Sequence, residues 1–226
     1  DTDWSQENRA IGGVLSQRQD GVERVIAYGA KKLNSSQANY PATKGEIFAV
    51  NPKHDTVQGK PAYANVAAVD RPIDLAVIAI PAAAVPRVLR ECGEAQIGAA
   101  VVLSAGFGES GERGQALQRE LQDIARTYDI RLVGPNCLGV MRPRVGLDAT
   151  FARSTARSGH VALVAQSGAF CTALLDWADA NGFGFSAVAS LGAAADVGFG
   201  DVLDYLAVDP HTRSILLYVE GVSNAR

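Results

Sequence analysis

In the run VAQSGAF, residues 164–170, an apolar stretch ends in Gln166, Ser167 and Gly168, and a helical pattern follows. Free N–H groups and the positive end of the helix dipole at such a start favour a phosphate, although a capping role alone would also account for Ser167. The last strand-like run closes on YVEG, which puts the Glu220 carboxylate at a strand end. Other runs end in the same way. Lys53, in NPKHD, offers a point charge to a phosphate or is simply solvated. IPAAAVP, with Ile80, Pro81 and Ala82, leaves a strand through small residues and a proline suited to opening a helix. LSAGFGE, with Ser104, Ala105 and Gly106, sets glycines where backbone could approach a ligand. GPNC supplies Pro135, the amide of Asn136 and Cys137, a thiol that reads either as reactive or as buried and inert. Strand ends converging on one rim are the usual ground plan of a ligand site in α/β proteins.

Such a rim needs a parallel sheet to carry it. From residue 74 the chain alternates β-branched runs with helical stretches: DLAVIAI, VPRVLRECGEA, GAAVVLSA, an amphipathic segment to about Tyr128, then IRLVG. That βαβαβ order predicts a parallel sheet with helices on its faces. After a polar, small-residue link, RPRVGLDATFARSTARSG, the pattern restarts with HVALVAQ, a helix, FSAVASLG, a helix near FGDVLDYLAV, and SILLYVEG. Gln166, Ser167, Gly168 and Glu220 should therefore meet at one edge of a second sheet. The first 48 residues read differently: two strand-like runs around Asp20-Gly21, a hairpin signal, then serines suited to capping a helix.

Composition narrows the partners. The 226 residues are 47% hydrophobic and 20% charged, with a net charge of −3, enough for sizeable cores and without a basic field for nucleic acid or an anionic membrane. The longest apolar run, LAVIAIPAAAVP, carries two prolines and falls far short of the ~20 residues that span a bilayer. A cytoplasmic location is expected. Three cysteines without CxxC spacing predict neither a disulfide framework nor a zinc site, and no metal ligands are assigned. With its only methionine at Met141, the chain reads as a piece of a longer product.

Two resemblances add to this. Residues 1–50, through DTDWSQENRAIGGVLSQRQDGVERVIAYGAKKLNSSQANYPATKGEIFAV, resemble the start of the RNase H domain of retroelement reverse transcriptases. That implies a two-metal nuclease site with Glu46 on a helix and Asp3 or Asp1 on a strand, of which the later acids are missing. From about Glu46 onward, NPKHD, DLAVIAIPAAAVP, VVLSAGFGESG, RLVGPNCLGVMRP, VALVAQSGAF, SLGAAADV and ILLYVEG resemble the nucleoside-diphosphate-forming acyl-CoA synthetases and CoA-binding protein acetyltransferases, which are built like the succinyl-CoA synthetase alpha subunit. GEIFAV suits both families, and is expected to be a fusion point.

The second resemblance implies an α/β fold. A Rossmann-like CoA-binding domain over 48–150, lacking its usual first βα unit, precedes a flavodoxin-like succinyl-CoA-ligase domain over 151–226. Residues 1–47 form the RNase H-like fragment. It implies CoA at Lys53, Ile80, Pro81, Ala82, Ser104, Ala105, Gly106, Pro135, Asn136 and Cys137. It also implies a phosphohistidine facing Gln166, Ser167, Gly168 and Glu220. That histidine lies beyond Arg226, since neither His160 nor His211 stands in its motif. ADP or ATP and Mg are expected only on missing domains. The implied partners are acyl phosphate or acyl-CoA, a nucleotide-grasp domain or beta subunit, and an oligomeric parent enzyme. The acid–thiol ligase cycle would be incomplete in this chain alone. The alternatives are an RNase H-type nuclease fragment and a non-catalytic CoA-binding or subunit-docking module.

Overall fold

The computed structural model describes the backbone of residues 18–19, 22–29, 46–57 and 60–221, with side chains from residue 48 onward. Asp1, Asp3, the Asp20-Gly21 pair and the expected capping serines lie outside the described residues.

The first sheet is built from β1 (Arg18–Gln19), β2 (Val22–Gly29), β3 (Glu46–Val50), β4 (Thr56–Val57), β5 (Lys60–Tyr63), β6 (Leu75–Ala79), β7 (Ala99–Val102) and β8 (Arg131–Val133). Its order is β4-β5-β3-β2-β6-β7-β8, with β1 pairing β2. Antiparallel pairing is confined to β1 with β2 and β4 with β5. Counted along the chain, the parallel strands β2, β3, β5, β6, β7 and β8 stand in the order 3-2-1-4-5-6, the doubly wound dinucleotide arrangement.

This corrects two expectations. The usual first strand is not lacking: β2 holds its central place, with Val25 to Tyr28 in register with both neighbours, from Val25↔Ile47 and Val25↔Leu75 to Tyr28↔Val50 and Tyr28↔Ile78. Residues 30–45 lie outside the described residues. Glu46, assigned to a nuclease helix, begins strand β3 instead. β-Branched and aromatic residues in EIFAV, with Phe48 to Val50 buried, fit a central strand better than a helix end.

Helices α1 (Val85–Glu94) and α2 (Glu112–Tyr128) cover one face of the first sheet. α1 opens on a proline at its first turn, where a missing N–H costs nothing. α2 closes on Asp129 in the left-handed region, φ 55°, its N–H returning to Ala125 O. Strand alternation divides the apolar residues between two cores. Ala76, Ile78, Ala100 and Val102 face the helices, with Leu89, Leu121 and Leu132 beside them. Val77 and Val101 face the other way. Each large side chain buried in this way contributes roughly 1.5–3 kcal/mol.

What covers that other face is the link, which is no link. Residues 139–150 form a hairpin of β9 (Gly139–Arg142) and β10 (Leu147–Thr150), and Ala149, Val140 and Leu147 pack on Val77 and Val101. The hairpin also belongs to the second sheet, with β11 (Arg157–Ala165), β12 (Gly184–Ser190) and β13 (Ser214–Tyr218), in the order β10-β9-β12-β11-β13. Its parallel strands run 2-1-3, the opening of a flavodoxin-like sheet. α3 (Gly168–Ala180) lies on one face, with Leu163, Ala165, Leu175 and Phe185 between. α4 (Phe199–Ala207) lies on the other, its Leu206 buried against Ala162 and Val164. The chain thus enters its second sheet at residue 139, ahead of the expected boundary at 150. No helix among the described residues is long and apolar enough to cross a membrane.

Candidate functional site

Each sheet has a switch point where consecutive crossovers leave in opposite directions, between β2 and β6 in the first and between β11 and β13 in the second. Crevices beyond the carboxyl ends of such strands are where α/β folds bind ligands.

Around the first switch point the expected residues line up along the strand ends. Lys53 follows β3 and is exposed, its N–H held by Asn51 Oδ1 at 2.9 Å. Ile80, Pro81 and Ala82 follow β6; Ser104, Ala105 and Gly106 follow β7; Pro135, Asn136 and Cys137 follow β8. Ser104, assigned to a ligand, braces the rim itself. Its Oγ donates to Ile80 O at 2.5 Å and accepts from Ile80 N at 3.1 Å, tying the β6 and β7 ends together. Its carbonyl accepts from Asn136 N at 2.9 Å, which adds the β8 end.

Asn136 is exposed, with a left-handed backbone, φ 56°, a conformation Asn tolerates better than most residues. It stands exposed at the strand end. Cys137 is not: the thiol is buried and reaches Val102 O at 3.3 Å, and burial pushes it up to about 12, the inert alternative of the two read from sequence.

At the second switch point Gln166 and Glu220 meet. Gln166 Oε1 accepts from Glu220 N at 2.7 Å and from Gly221 N at 2.9 Å, and Gln166 N donates to Tyr218 O at 3.2 Å. Two N–H donors on Oε1 fix the amide's orientation and leave the Nε2 donor for a ligand. Ser167 caps α3, accepting from Phe170 N at 3.3 Å, so its Oγ is committed to the helix as well. Phe170 in turn stacks on Tyr218 with ring centroids 4.4 Å apart, closing the first turn of α3 onto β13. His160 and His211 contact each other, Nδ1 to carbonyl at 3.1 Å, near the start of β11 and just before β13, at the opposite edge of the sheet from Gln166.

The loops at the two switch points share a wall. After β12, Ala193 N donates to Pro135 O at 2.9 Å, Ala195 N to Gly134 O at 3.0 Å and Val197 N to Leu132 O at 3.0 Å. Gly192 lies so close that a Cβ there would stand 2.3 Å from both Pro135 O and Asn136 O. Leu138 N donates to Ser190 Oγ at 3.0 Å, and Leu138 packs on Gly168 at the start of α3. Outside this wall, Arg131 pairs with Asp196 at 3.1 Å and Asp201 at 2.8 Å. The Gly198 N–H, then Arg131, hold Asp201 below the usual carboxylate range. Residues 134–138 are therefore one loop serving both rims.

Sequence reasoning did not find Gly192, Ser190 or the Asp196 brace, because their partners lie far along the chain. Glu109, quoted in LSAGFGE but not assigned, turns out to occupy backbone N–H groups of the rim. No cluster of three or more His, Cys, Asp or Glu able to hold a metal stands among the described residues.

A family model described as a CoA binding domain matches residues 24–143, just over half of the chain. The chain belongs to the CoA-binding domain family. A second model, the succinyl-CoA ligase like flavodoxin domain, matches residues 158–226. The CoA-binding match starts within β2, inside the segment that resembled a nuclease, so neither it nor the strand at Glu46 supports an RNase H fusion.

Among relatives, the ADP-forming acetate–CoA ligase I of Archaeoglobus fulgidus is 44% identical over 193 residues, covering 85% of this chain and 28% of that protein. The alpha subunit of the ADP-forming acetate–CoA ligase II of Pyrococcus furiosus is 39% identical, over 80% of this chain and 40% of that one. A solved dinucleotide-forming acetyl-coenzyme A synthetase 1 from Ca. Korarchaeum cryptofilum, in complex with phosphate and ADP, superposes with a TM-score of 0.80 at 33% identity, over 92% of this chain and 46% of that chain. This CoA-binding chain spans less than half the length of each of these relatives.

Proposed function

We propose that the chain is the CoA-binding portion of an ADP-forming acyl-CoA synthetase. The first crevice takes CoA, with Lys53 on a phosphate, Ile80, Pro81 and Ala82 against the adenine or pantetheine, and Asn136 near the reacting thiol. The second crevice takes a phosphoryl group at the start of α3, with the Gly168 N–H and Gln166 Nε2 as donors and Glu220 orienting the phosphohistidine that the rest of the enzyme supplies. In that cycle phosphate attacks the acyl-CoA thioester to give an acyl phosphate and free CoA, the acyl phosphate passes its phosphoryl group to the histidine with release of the carboxylate, and the histidine passes that group to ADP. The nucleotide-grasp domain or beta subunit brings ADP and its metal. This chain alone does not complete the cycle.

The observation that supports this best is the shared loop: the thiol end of one crevice and the phosphoryl site of the other are walled by residues 134–138, which touch both α3 and the β12 end. Acyl and phosphoryl transfer from one small substrate need such adjacency. Calorimetry with CoA and dephospho-CoA tests it. Lys53→Ala should weaken CoA binding about tenfold, the size of one charge-assisted contact. Unchanged affinity in the variant, or no binding at millimolar CoA, would overturn the assignment.

A further inference from the structure

At the mouth of β7 two successive N–H groups converge on one side-chain oxygen. Glu109 Oε1 lies 2.6 Å from Gly106 N and 3.2 Å from Phe107 N. A pair of adjacent backbone N–H groups aimed at one point is an anion-binding concavity, and here the anion is part of the chain. The next N–H, Gly108, is taken by Gln118 Oε1 at 3.0 Å, and the Ser104 hydroxyl is taken by Ile80. The turn therefore has its Gly106, Phe107 and Gly108 donors committed internally. It nevertheless stands in the rim: a Cβ on Gly106 would lie 3.0 Å from the Ala82 Cβ, and Glu109 itself is exposed.

Charge is thus distributed unevenly along the crevice. Lys53 follows β3, and Glu109 follows β7, three strand positions away in the order β3-β2-β6-β7, or roughly 14 Å at the usual strand spacing. CoA has the complementary polarity, with its phosphates at one end and an uncharged amide arm and thiol at the other.

We propose that Glu109 is a specificity-determining residue of the rim: it fills the Gly106–Phe107 amide pair as an internal anion, so that this stretch accepts the uncharged pantetheine arm and excludes phosphate. This rests on the CoA reading of the crevice. An unoccupied amide pair there would compete with Lys53 for the phosphates and allow CoA to bind in the reverse sense. With Glu109 in place only one orientation puts the thiol toward Asn136.

The test uses the 226-residue chain with Glu109→Gln and Glu109→Ala, titrated with CoA, pantetheine and inorganic pyrophosphate while the amide resonances of Gly106 and Phe107 are followed by NMR. Glutamine keeps an oxygen for the two N–H groups, so pantetheine affinity should stay within about twofold of wild type. Pyrophosphate should move the Gly106 and Phe107 resonances in Glu109→Ala and bind there on the order of tenfold more tightly than to wild type, with Glu109→Gln intermediate. A carboxylate that only braced the turn would give glutamine and wild type the same pyrophosphate response, and that result overturns the proposal. Equal pyrophosphate binding to all three forms overturns it too. If the pyrophosphate gain is seen while no form binds CoA or pantetheine, the exclusion role of Glu109 stands and the CoA reading fails. If CoA binds and all three forms respond alike, the reverse holds.

Discussion

Ser104 shows how a polar residue at a strand end can brace the rim itself. Its hydroxyl joins both backbone groups of Ile80, so Ser104→Ala removes two half-buried hydrogen bonds and should cost about 1–2 kcal/mol, read as a lower urea midpoint with an unchanged slope. The thiols give a second prediction. Burial pushes Cys92 and Cys137 up to about 12 from an ordinary value of 9.0. Between those values the unfolded chain has lost thiol protons that the folded chain keeps, so stability is unaffected below pH 9 and falls as pH rises above it. The slope approaches about 1.4 kcal/mol per pH unit for each such thiol. Denaturant midpoints from pH 8 to 10.5 should show the decline, and Cys92→Ala should lessen it.

At the scale of elements, the segment after β12 is held tightly and at a conformational cost. Gly192 has φ 55° and no room for a side chain against the Pro135 and Asn136 carbonyls, so Gly192→Ala must push the shared wall apart. A loss of more than about 2 kcal/mol is expected, together with weakened CoA binding measured on the protein that remains folded. Ala194, at φ 46°, sits in the left-handed region and is half-buried at the edge of the core that holds Leu191 and Leu206. Replacing it with glycine removes the strain and adds flexibility to the unfolded chain, for a net gain of about 0.5 kcal/mol, visible as a small rise in Tm.

For the whole molecule, the hairpin of β9 and β10 makes the two sheets one folding unit. It pairs with β12 in the second sheet while burying Ala149 against Val77 and Val101 of the first. Far-UV circular dichroism and tryptophan fluorescence should therefore report one coincident urea transition rather than two. The Arg131 pairs across the same boundary are about half exposed and should contribute within about 1 kcal/mol, less at high salt.

Local pattern was enough for the βαβ order from residue 74, the strand-to-helix starts at Val85 and Gly168, and the meeting of Gln166 with Glu220, because each rests on periodicity and caps that a short window contains. The same windows named the strand-end rim of the first sheet. They could not tell whether VERVIAYG was the arm of a foreign hairpin or the central strand of a parallel sheet, since an apolar strand has the same pattern in both and only its pairing with β3 and β6 distinguishes them. They also read LDAT as part of a link and assigned no strand to GVMR, because four-residue strands around Pro143 and Arg144 carry too little pattern to stand out. Which polar groups face a ligand and which are spent on the fold, as at Ser104, Ser167 and Glu109, was decided by hydrogen-bond partners brought together only when both sheets had closed on the loop at residues 134–138.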